Sequence, residues 1–196
     1  LDFYSEKIED SKILQNLNLK KDGFFVVSAH REENVDNIKK LEELISALNA
    51  IAEKYNFPII FSTHPRTKKQ LSKIGIIPND KIKFLDPLGF IDYVALQKKS
   101  FLVLSDSGTI SEESSTLNFR AINIRSSHER PEAMEEASVI MTDIKKGSIL
   151  RAINSSITQS KIKRNFEKVR DYSFINVSKK VERIILSYTD YINHNV

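Results

Sequence analysis

Short apolar runs alternate with longer amphipathic stretches along this chain. Phe24-Phe25-Val26-Val27, Pro58-Ile59-Ile60-Phe61, Ile82-Lys83-Phe84-Leu85, Phe101-Leu102-Val103-Leu104 and Ala121-Ile122-Asn123-Ile124 are brief and bounded, and read as buried strands. Val139-Ile140-Met141 reads as a late one. Between the first two runs, Ile38, Leu41, Leu44, Ile45, Leu48 and Ile51 keep helical spacing and predict a helix over about 35–54. Helices are also predicted over about 67–73, 91–98, 109–117, 147–157 and 176–192. In the first twenty residues Ile13, Leu14 and Leu17 can face inward from a short helix, while Ile8, Lys12 and Gln15 interrupt any clean stripe. Strands alternating with helices predict an α/β fold, a doubly wound parallel sheet of Rossmann-like kind.

Polar clusters recur just after the strands, at His30, at His64, near Tyr93, at Ser107 and at Arg130. In such a sheet these positions share one edge, where ligands bind. The stretch from Phe101 to Ala133 carries most of the chemistry. Its first strand stops at Ser105-Asp106-Ser107-Gly108, and a helix begins near Thr109. Gly108 permits close approach to the backbone, and free N–H groups at a helix start favour an anion, so Ser107, Gly108 and Thr109 form a candidate diphosphate cradle. The same turn also fits plain capping, with Thr109 and Glu112 as a capping box. Glu113 lies one turn into the helix, on the side of Thr109, where a carboxylate can accept from sugar hydroxyls. Arg130, after the next strand, supplies a guanidinium suited to phosphate. His30 at a strand end admits a structural or a functional role, and Tyr93 fits the buried face of a helix as well as a binding loop.

Composition narrows the classes. With 40% hydrophobic and 29% charged residues, the 196-residue chain can bury a substantial core as one domain. It has no Cys, which removes disulfides, thiol nucleophiles and Cys-based metal sites. No apolar run approaches membrane-spanning length and no signal peptide is visible, so a cytoplasmic location without membrane contact is expected. A net charge of +4 suits a phosphorylated ligand. The basic segment Lys161, Lys163, Arg164, Lys168 and Arg170 lacks an aromatic platform and reads as a solvated face, not a nucleic-acid surface. No G-x-S-x-G surrounds Ser107, and no Walker A motif occurs. His128-Glu129 has no second His one turn on, and Pro131 would break the helix a zinc site needs. No metal site is expected.

The order Ser105-Asp106-Ser107-Gly108, Glu112-Glu113 and Glu129-Arg130-Pro131-Glu132, with His30-Arg31-Glu32-Glu33-Asn34 upstream, resembles the non-hydrolysing UDP-N-acetylglucosamine 2-epimerases. The Gly108-Thr109 pair is most similar to the branch that works in capsule and O-antigen sugar synthesis. The resemblance runs from about residue 20 to 172 plus the closing helix, and implies the second domain of a GT-B-type two-domain architecture. It divides the chain into a lead-in segment (1–20), a UDP-binding domain (21–172) and a terminal helix (173–196) that crosses back to a missing N-terminal catalytic domain. On this resemblance the complete protein is a homodimer that inverts C2 of a UDP-2-acetamido sugar, by elimination and re-addition of UDP, without a cofactor. His30 would lie beside the diphosphate as the catalytic group, Tyr93 against the uracil, and Arg31 and His64 at a site for an activating second UDP-sugar. Glu32 stands where the commoner pattern has a second Arg, which weighs against that activating site. The chain alone would bind UDP weakly and turn nothing over. A glycosyltransferase of the same architecture and a non-catalytic UDP-sugar-binding domain are the rival classes.

Overall fold

A computed structural model describes residues 1–125, 127, 130–159 and 168–195 of the chain. In chain order the elements are α1 (Ser5–Glu9), α2 (Ile13–Asn16), β1 (Phe25–Ser28), α3 (Glu32–Val35), α4 (Ile38–Tyr55), β2 (Ile59–Ser62), α5 (Pro65–Leu71), β3 (Ile82–Leu85) and α6 (Phe90–Lys99). There follow β4 (Leu102–Ser105), α7 (Ile110–Leu117), β5 (Ala121–Ile124), α8 (Pro131–Glu135), β6 (Ile140–Thr142), α9 (Lys146–Gln159) and α10 (Val177–Asn195). The strands form one six-stranded sheet in the order β3-β2-β1-β4-β5-β6, and every neighbouring pair is parallel. This is the doubly wound, Rossmann-like order. Chain direction across the sheet reverses between β1 and β4, which places the ligand crevice of such folds at their C-terminal ends.

The pleat divides the core into two layers. Phe25 and Val27 of β1 face a layer built with Leu41, Leu44, Leu48 and Ile51 of α4 and Ile149 and Ile153 of α9. Phe24, Val26, Ile60 and Val103 face the other layer, with Ile8, Ile13, Val94, Leu96 and Ile110. Both faces are covered by helices, so β1, β2 and β4 are apolar up to their closing serines instead of alternating.

Several boundaries differ from the expected ones for local reasons. The first four strands each end on a residue beyond the apolar run or at its last member. Ser28, Ser62 and Ser105 continue the ladder, Ser28 lying in register with both of the others. The long helix begins at Ile38, not 35, because the Asn37 side chain accepts from the N–H groups of Lys39 (3.1 Å) and Lys40 (3.3 Å). The basic helix begins earlier, at Pro65, whose missing N–H costs nothing in the first turn. Ile8, read as interrupting a stripe, is buried. The lead-in forms two short helices instead of one, so a single helical period does not apply to it. Helix α8 was not expected; it too starts on a proline. The α10 residues Val177, Val181, Ile184, Ile185, Tyr188 and Ile192 form the expected apolar stripe and are between 46% and 59% exposed. Among the described residues, no helix is long and apolar enough to cross a membrane.

Candidate functional site

Three strand-end segments meet at the switch point. The Asp106 N–H donates to the Ser28 carbonyl (3.1 Å), which joins the end of β1 to the end of β4. The Asp106 carboxylate is fully buried and faces the loop that follows β1. It accepts from the backbone N–H groups of His30 (3.1 Å) and Arg31 (3.0 Å) and from Asn34 Nδ2 (3.1 Å). Asn34 Nδ2 also donates to the Ile124 carbonyl (3.2 Å), which adds the end of β5. The Asp106 carbonyl in turn accepts from Arg31 Nε (2.9 Å). A buried carboxylate is costly unless it is well bonded, and this one is met by two backbone amides of the loop after β1 and by the side-chain amide of Asn34 in α3. The His30 side chain lies beside it, with Nδ1 3.2 Å from Asp106 Oδ1.

The turn after β4 is held by its own hydroxyls. Ser107 N–H donates to Ser105 Oγ (3.1 Å), and the Ser107 and Thr109 hydroxyls lie 3.0 Å apart. Thr109 occupies the N-cap of α7 but makes no capping hydrogen bond with its side chain. The expected Thr109–Glu112 capping box therefore does not form. Glu112 instead accepts from Arg130 Nε (2.8 Å), which brings the loop after β5 onto the first turn of α7. That carboxylate holds the Arg130 guanidinium still more firmly protonated.

Glu113 points toward α6, where it accepts from Gln97 Nε2 (2.7 Å). Burial raises its pKa above the ordinary carboxylate value, against the hydrogen bonds from Gln97 and Thr109. Tyr93 is half-buried on α6 near Ser28 and Gln97, and burial pushes its pKa up to about 12. Tyr93, Gln97 and Glu113 thus form a polar patch under the β1–β4 junction.

The remaining residues separate into a second group. His64 caps α5, its Nδ1 accepting from the Arg66 N–H (3.3 Å). The Arg66 side chain pairs with Glu32 (2.6 Å) and with Asp36. His30, Arg31, Glu32, Glu33 and Arg66 line one open cavity. Arg31 is tied to Asp106, and His64 belongs to the rim that Arg66 neutralises. His128 and Glu129 lie outside the described residues, as do Lys161, Lys163 and Arg164; Lys168 and Arg170 are exposed.

Sequence reasoning quoted Asp106 within a motif but gave it no role. An acidic residue at a strand end, next to Ser and Gly, is the signal that was available. Arg66 and Tyr172 were also missed. The Tyr172 hydroxyl donates to Glu132 Oε1 (2.6 Å), holding that carboxyl below its usual range. Neither contact has a signature in local spacing.

A doubly wound sheet, with a hydroxyl-lined turn and flanking histidine and arginine at its switch point, defines a Rossmann-like domain with an anion-suited edge. The profile of the family described as UDP-N-acetylglucosamine 2-epimerase matches residues 1–186. A UDP-N-acetylglucosamine 2-epimerase of Methanocaldococcus jannaschii is 35% identical over 193 residues, 95% of this chain and 50% of the relative. The solved structure of the Rickettsia bellii UDP-N-acetylglucosamine 2-epimerase aligns with a TM-score of 0.88 and 46% identity, over 100% of this chain and 53% of the other. A Methanocaldococcus jannaschii UDP-GlcNAc 2-epimerase, solved in complex with UDP-GlcNAc and UDP, aligns at 0.80 and 29% identity over 93% and 50%. The chain belongs to the UDP-N-acetylglucosamine 2-epimerase family, and it spans about half the length of these relatives.

Proposed function

We propose that this chain is the UDP-gripping C-terminal half of an epimerase that inverts C2 of a UDP-2-acetamido sugar. What carries the reading is that the segment from β4 into α7 holds His30 beside Asp106 at one end, the Ser107 and Thr109 hydroxyls in its turn and Arg130 on Glu112 at the other, within a chain of this family. In this reading Ser107, Gly108 and Thr109 cradle the diphosphate, which takes over the Ser107 and Thr109 amides from their hydroxyl partners within the turn, and Arg130 adds positive charge to it. Glu113 accepts from the ribose hydroxyls and Tyr93 lies against the base. His30 hydrogen-bonds the oxygen that leaves with UDP. Elimination of UDP gives a 2-acetamidoglycal, and re-addition from the other face inverts C2. The proton at C2 leaves and returns as a proton, so no redox cofactor is required. Oriented amides and the guanidinium stabilise the diphosphate as charge gathers on it.

The carboxylates that move the C2 proton would belong to a second domain, against which the α10 stripe would dock. The complete protein is then a cytoplasmic homodimer serving surface polysaccharide synthesis, and this chain alone is catalytically silent. For the possible activator site, the Arg66 pairing with Glu32 and Asp36 argues against a second UDP-sugar at Arg31 and His64. Two measurements test the proposal. Calorimetry of this chain with UDP should give weak but saturable heat; no heat would overturn the grip. A protein carrying both halves, incubated with UDP-N-acetylglucosamine, should show inversion at C2 by NMR, and sugar transfer to an acceptor without inversion would favour a glycosyltransferase.

A further inference from the structure

We infer that Asp106 is a positioning residue for His30: it holds the imidazole in the tautomer that carries its proton on Nδ1 and leaves Nε2 as the acceptor. Two of its hydrogen bonds come from backbone N–H groups of the loop after β1, so the carboxylate is fixed relative to the histidine's own main chain. Asn34 Nδ2 adds a third donor to the same carboxylate. The Asp106 side chain is 0% exposed, while that of His30 is 47% exposed. One side of the imidazole is therefore committed to protein and the other is open. An ionised carboxylate has only acceptor sites. At 3.2 Å, within ion-pair range though not aligned as a hydrogen bond, Nδ1 is attracted to Asp106 Oδ1 when it carries hydrogen and repelled by it when it presents a lone pair. The neutral ring is consequently held opposite to the tautomer that a free histidine side chain favours in water.

The consequence for catalysis rests on the function proposed above. An Nε2 acceptor takes up a proton from solvent; the resulting imidazolium, its Nδ1–H still toward Asp106, donates Nε2–H to the departing oxygen and recovers that proton when the oxygen adds back, without reorienting the ring. Asp106 also joins this ring to the turn of Ser107, because its own N–H and carbonyl bind Ser28 and Arg31. Proton carrier and anion cradle thus share one frame. An amide at this position would turn one NH2 against a loop of donors, and so could not replace the carboxylate.

The tautomer is read without ligand, so the test is independent of UDP binding. The chain is labelled with 15N in its four histidines. Long-range 1H–15N NMR is recorded above the pH at which the ring titrates, and the His30 signals are assigned by their loss in His30→Gln. We expect a pyrrole-type Nδ1 and a pyridine-type Nε2 for His30. A pyridine-type Nδ1 in the unmodified chain would refute the assignment outright, whatever the variants do. In Asp106→Asn, the His30 pattern should revert to mainly Nε2–H while the His64 and His194 signals stay in place. A folded variant that keeps Nδ1–H would equally overturn it.

Discussion

Arg130 shows how much one side chain can be asked to do at the rim of this site. Its Nε is spent on Glu112, which orients the guanidinium over the first turn of α7. Replacing it with alanine should weaken UDP binding about tenfold or more, close to 1.4 kcal/mol, as read by calorimetry. Glu113 makes the opposite trade. Burial raises its pKa, so the folded chain holds this proton more tightly than the unfolded chain does. Its contribution is favourable below the ordinary value of 4.5 and is lost as pH rises through the raised one. At neutral pH the buried charge is a net burden, and Glu113→Gln should raise Tm by about 2–4 °C while lowering UDP affinity. A Tm that falls near neutrality would contradict this. Ala137 is a third case: it sits at φ 52° with no side-chain polar group to ease it. Ala137→Gly should stabilise the chain by about 0.5–1 kcal/mol in denaturant titration. At this scale the sequence is readable only where chemistry and spacing coincide. Ser107, Gly108 and Arg130 can be proposed from a motif. Asp106 does not, because its role depends on donors more than seventy residues away in the chain.

Elements are more legible than residues, since periodicity reports burial directly. All six apolar runs became strands, yet the serines that end β1, β2 and β4 were left out of them. Backbone pairing does not stop where hydrophobicity stops. Helix α4 illustrates how a single polar residue sets a boundary that the apolar stripe leaves open. Asn37 bonds two otherwise unpaired amides of its first turn. Asn37→Ala should cost about 1 kcal/mol, a drop of roughly 2–4 °C in Tm by calorimetry. Helix α8, a single turn and a half, is too short to display a period; its only sequence signal is Pro131 at the first position.

For the molecule as a whole, the alternation of runs was enough to yield the sheet class, and the chain's family relationship agrees with it. What alternation leaves unstated is which strand ends touch. Helix α10 behaves differently from the rest, with its apolar residues turned outward along its length. Limited proteolysis should cut within α10 before any other helix, leaving a core that melts at the same temperature. Cleavage first inside α4 or α7 would show that α10 is shielded. The β1–β4 junction has one more implication. Its loops are stitched by Asp106 through bonds that involve protein atoms alone, so if the chain grips UDP as proposed little conformational entropy remains to be surrendered on association. Loosening that stitch should therefore show itself less in how quickly UDP is captured than in how briefly it stays.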